Sequence, residues 1–107
     1  PTVDDPVAEV QPTITNDAEG LRRIDAIIDA LYEVAPRIEN AVAQGIVQAD
    51  MLALQAEHAA GRSWSDRIRR HLIEVWAIVI AVAVGATGSV LAELILSLLR
   101  DHGIDLR

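Results

Sequence analysis

Residues 75–92 contain no charged side chain. As a helix these 18 positions extend about 27 Å, close to the roughly 30 Å hydrocarbon thickness of a bilayer. Apolar surface on that scale has to be covered, by lipid or by other parts of the chain. Leu94 to Leu99 prolong the stretch, and only Glu93 interrupts it. No other segment is rich enough in large apolar side chains to cover it. The sequence therefore predicts one long C-terminal transmembrane helix over residues 72–99. Arg62, Arg67, Arg69 and Arg70 precede this segment, while Arg100 and Arg107 after it are offset by Asp101 and Asp105. The positive-inside rule then places the N-terminal side in the cytoplasm and a short tail, residues 100–107, outside a bacterial inner membrane or its equivalent. Residues 62–71 form a basic juxtamembrane linker. Trp64, Arg67, Arg69, Arg70, Glu74 and Trp76 suit the headgroup layer as anchors.

One face of the predicted span is built from small residues. At 100° per residue, Ala81, Gly85, Gly88, Ser89 and Ala92 fall together, with Glu93 beside them. Small side chains let helix backbones approach closely, so this face predicts a helix–helix interface in the membrane. A carboxylate within a span costs free energy unless it is paired, and an interhelical hydrogen bond is the expected role of Glu93.

Upstream, residues 1–16 have no apolar periodicity and carry Pro1, Pro6 and Pro12. They read as an extended or disordered arm. They have neither the basic nor the apolar region of a signal peptide, and Pro1 matches what trimming of an initiator Met would leave. Asn16 or Asp17 opens a helix, with Asp17 and Glu19 favoured at its positive end. Leu21, Ile24, Ile28 and Leu31 then follow the 3,4,3 spacing of a coiled-coil seam. Pro36 marks a kink or a hairpin, because its ring clashes with the carbonyl four residues back in a continuous helix. The same phase resumes at Ile38, Val42 and Leu52, with Gly45 at one seam position, and this continuity favours a kinked rod. Gly61 closes the helix, and Ser65 or Asp66 caps the next. Residues 17–61 are expected to be an amphipathic region for oligomerisation or partner binding. The fold class is all-α: an extended arm, a coiled-coil-like helical region, and one long C-terminal transmembrane helix.

Composition narrows the functions open to such a chain. Sixteen acidic residues against nine Arg give a formal charge of −7, which repels nucleic-acid phosphates. The absence of Cys removes disulfides, thiolate metal sites and thiol nucleophiles. His58, His71 and His102 are scattered. His71-x-x-Glu74 has a spacing that helical metal sites use. The plainer reading is an Arg70–Glu74 pair at the membrane surface. Ser63 and Ser65 have no base arranged beside them by spacing. No catalytic residue, cofactor, metal or small-molecule substrate is expected.

No family motif is complete. The layout of a seam-forming helix, Trp and a near-C-terminal apolar segment resembles small phage holin-type membrane proteins. The run from Trp76 to Gly88 resembles the apolar stretch of filamentous phage coat proteins. The likeness ends at the C-terminus, where Arg100, Asp101, Asp105 and Arg107 cancel instead of forming a basic end. The expected function is a non-catalytic, single-pass subunit that assembles a larger membrane or virion-associated complex through helix packing. Its partners would be the bilayer and either other membrane-protein helices or further copies of itself. A holin-like permeabilising oligomer is one alternative, and a soluble helical oligomer is another.

Overall fold

Asp17 is the residue that starts the first helix. Its carboxylate accepts from Gly20 N–H at 2.5 Å and from Ser63 Oγ at 3.0 Å, while its own N–H donates to Ser63 Oγ. These bonds hold its carboxyl below the usual aspartate range, the cap to Gly20 most of all. The computed structural model describes residues 17–82 and 85–106, so the expected arm over 1–16 lies outside the described residues. The described residues hold four α-helices: α1 (Ala18–Val34), α2 (Ala41–Ala59), α3 (Asp66–Val82) and α4 (Gly85–Asp101). A short 3-10 turn, Ala35–Arg37, lies between α1 and α2.

Three local signals set the boundaries. Pro36 sits in the 3-10 turn, where Ala35 O accepts from Ile38 N–H, and Gln44 Nε2 donates to the carbonyls of both Ala35 and Ile38. Asn40 then caps α2 by accepting from Ala43 N–H at 2.9 Å. The chain thus turns after Pro36, and α1 packs against α2 instead of running on as a kinked rod. Gly61 ends α2 with the paired bonds of a Schellman motif, Arg62 N–H to Glu57 O and Gly61 N–H to His58 O. Ser65 opens α3, its hydroxyl accepting from Ile68 N–H and donating to Glu57 Oε1.

The helices form a closed ring. α1 packs on α2 and α4, and α3 packs on α2 and α4. Trp64 stacks on His102 with ring centroids 3.7 Å apart, which brings the start of α3 to the end of α4. Asp17 is bonded to Ser63 at the same end. Arg23 near the start of α1 forms an ion pair with Asp101 at the end of α4. The chain therefore runs up, down, up, down, with the turns after α1 and α3 at the far end. Aliphatic side chains fill the centre. Ile24, Ile27 and Leu31 come from α1, Leu54 from α2, Ile68 and Leu72 from α3, and Leu91, Ile95 and Leu99 from α4.

This arrangement corrects the expectation of one membrane-spanning helix over 72–99. Among the described residues no helix is long and apolar enough to cross a membrane. The charge-free stretch is divided between α3 and α4, which pack against each other. Gly85 begins α4 at φ +88°, a conformation that costs an L-residue about 1–2 kcal/mol. Burying a single Leu or Ile returns about as much or more, and α4 buries Leu91, Ile95, Leu96, Leu98 and Leu99.

Two glycine substitutions test the architecture. Gly85→Ala is expected to destabilise the hairpin by about 1–2 kcal/mol in urea unfolding. In a continuous helix the same change would stabilise, because Ala is the better helix former. A Cβ on Gly20 would lie 2.6 Å from Ser63 Cβ. Gly20→Ala should therefore lower the urea midpoint by an amount equivalent to about 1–3 kcal/mol, despite its gain in helix propensity.

Candidate functional site

The inner stripe of α2 is Val47, Asp50, Leu54 and Glu57, so two of its four buried positions are acidic. Glu57 is provided for: Ser65 Oγ donates to it, and Arg62 lies 3.4 Å from its other oxygen. Asp50 is different. It is 1% exposed, and its Oδ1 lies 2.6 Å from His71 Nδ1 on α3. No hydrogen-bond donor reaches its buried Oδ2. Glu74, one helical turn beyond His71, brings a second carboxyl to the same place. Ligand atoms of Asp50, His71 and Glu74 all lie within 4.8 Å of one another.

Burial and the neighbouring Glu74 together push the Asp50 carboxyl up to about 7, against the opposing pull of His71. Desolvation is the larger cause, since a carboxylate loses its hydration on entering the bundle. A carboxyl–carboxylate pair sharing a proton and a pair bridged by a cation are the two ways such a site is satisfied. His71 and Glu74 are on one helix and Asp50 on its neighbour, so whatever joins them also joins α2 to α3.

The spacing of His71 and Glu74 was legible in the sequence, but the third member was not. Asp50 sits on a helix whose apolar pattern points elsewhere, and only the packing of α2 on α3 brings it to the pair. The expected Arg70–Glu74 ion pair does not form among the described residues.

The predicted seam is kept in α1 and lost in α2. Ile24, Ile28 and Leu31 are buried, Leu21 is half-buried, and Ile38 is buried at the turn. Val42 and Leu52, however, are 72% and 63% exposed. The turn after Pro36 resets the helix phase, and the bundle takes the stripe that carries Asp50 and Glu57. Val42, Gly45, Ile46, Ala49, Leu52 and Ala56 form a second apolar stripe on the outside of α2. Both acids of the helix are buried, so its outer face carries no carboxylate.

The predicted intramembrane face is also divided. Gly88 and Ala92 are buried in the bundle, whereas Ala81, Gly85, Ser89 and Glu93 are exposed. Ser89 and Glu93 line a shallow groove along α4 with Val90, Leu94 and Ser97. The membrane-surface anchors have other roles. Trp64 is buried against His102, and Trp76 packs half-buried on the core. Arg69 lies 4.0 Å from Asp66, Arg67 and Arg70 are exposed, and Glu74 faces Asp50 and His71. Comparison with known protein families, with characterised proteins and with solved structures gives no match.

The raised Asp50 carboxyl has a consequence for stability. Between about pH 4 and 7 the folded chain retains a proton that the unfolded chain, with its ordinary value of 3.8, has released. The contribution of this group is therefore fully present below 3.8 and declines as pH rises toward 7. Urea midpoints measured across that window should fall less steeply in Asp50→Asn than in the wild type.

Proposed function

We propose that the chain is a non-catalytic helical assembly module, and that the outer stripe of α2 binds the same stripe of a second copy. The observation that carries this reading is the self-complementarity of that stripe. In an antiparallel pair crossing at Ala49, Val42 meets Ala56, Gly45 meets Ala53, and Ile46 meets Leu52. Val42 then opposes the smaller Ala56 at the flanks, Gly45 opposes Ala53, and Ile46 and Leu52 face one another beside the crossing point, each contact being repeated by the two-fold of an isologous interface. The small residues at the centre favour close approach of the two backbones. The net charge of −7 opposes association of two copies, and the α2 stripe keeps that cost low at the contact because it brings no carboxylate there.

The two bilayer-based expectations, a membrane-complex subunit and a holin-like pore, rested on an apolar segment facing lipid. In the bundle much of that segment faces its own other half. What remains of those expectations is assembly through helix packing. No catalytic group, cofactor or nucleic-acid partner is part of the proposal.

Sedimentation equilibrium at micromolar concentration tests it. The wild type should sediment as a dimer. Leu52→Glu and Ile46→Glu should each shift it to monomer while leaving helical circular dichroism unchanged, because both side chains are on the outside of the bundle. A wild-type chain that is monomeric at these concentrations would overturn the proposal.

A further inference from the structure

We propose that Asp50, His71 and Glu74 bind a divalent first-row transition metal, with zinc as the reference ion, and that this ion clasps α2 to α3. The site belongs to the buried stripe of α2 and does not depend on the proposed self-association.

The donor set points to the class of ion. Two carboxylates and one imidazole suit zinc, manganese or ferrous iron, whereas calcium and magnesium favour oxygen ligands alone. Geometry comes next. Ligand atoms of one such ion sit about 3–3.5 Å apart, given bonds of about 2.0–2.2 Å. The three groups here already lie within 4.8 Å, so the closure required is on the scale of side-chain rotation. All three are on regular helices, with His71 and Glu74 in the i,i+3 relation that bundle metal sites use.

The unpartnered oxygen is an independent observation. Asp50 Oδ2 is buried and no donor reaches it. A buried carboxylate oxygen in that state calls for a proton or a cation. Two carboxyl groups share this place, and a divalent ion offsets the negative charge that they can bring to it. There is also a route in. The His71 side chain is 29% exposed and Glu74 is exposed at the rim, so an ion reaches the cluster without opening the bundle. Three protein ligands leave further positions for water.

The test uses the full chain without a polyhistidine tag, stripped of metal and titrated calorimetrically with zinc chloride at neutral pH. Binding of one ion per chain is expected, with a rise in the thermal midpoint, because the ion binds the folded state preferentially. Asp50→Asn, His71→Gln and Glu74→Gln should each weaken binding by about tenfold or more. His58→Gln should leave it unchanged, since His58 is outside the cluster. Cobalt provides a second readout: visible bands should appear on addition to the wild type and be altered in His71→Gln. Glu74 is at the rim, so Glu74→Gln remains informative if a change at buried Asp50 impairs folding. Absence of saturable one-to-one binding would overturn the proposal and leave a shared proton between Asp50 and Glu74. Equal affinity in the wild type and all three variants would overturn it too, by assigning the binding to surface groups.

Discussion

The whole structure depends on how a charge-free stretch of 18 residues is kept from water. Its two halves cover each other. α3 buries Val75 and Val79, and α4 buries Leu91, Ala92 and Ile95 in the same core. Stacking of Trp64 on His102 closes the open end of this hairpin, and α1 and α2 cover what remains. The hydrophobic effect does not distinguish lipid from protein as the cover. A glycine able to adopt positive φ at residue 85 permits the reversal that lets the stretch serve as its own cover.

Much of the local structure is legible in the residues themselves. Asp17, Ser65 and Gly61 announce the ends of helices through chemistry that acts within three or four residues, and each acts as that chemistry requires. The α1 stripe is readable because its buried residues are all apolar or small. The α2 stripe is not. Its buried positions include Asp50 and Glu57, while Val42 and Leu52 lie outside. A pattern read from hydrophobicity therefore selects the wrong face. The turn after Pro36 was open in the sequence because the apolar phase of α1 resumes unbroken at Ile38 and Val42.

The chemistry at the α2–α3 contact follows from that inversion. Facing Asp50 inward takes a carboxyl from water; His71 partners one of its oxygens, and Glu74 adds a second carboxyl beside it. The outward stripe of α2 is left apolar for the same reason. One rotation of one helix thus produces both a buried polar cluster and an exposed apolar face. His71-x-x-Glu74 was visible as a spacing, but its partner comes from a residue 21 positions upstream of His71. A contact between two helices supplies it, and no local pattern encodes that contact.

The most direct measurement is a distance between the outer ends of α3 and α4. The chain has no Cys, so Arg67→Cys and Arg100→Cys, both at exposed positions, give a clean pair for spin labels and pulsed dipolar spectroscopy. In the hairpin the helix axes are about 8–10 Å apart, and with label linkers the distance should centre near about 20 Å. A continuous helix through residues 67–100 would instead separate the labels by about 50 Å, and that result would contradict the fold described here.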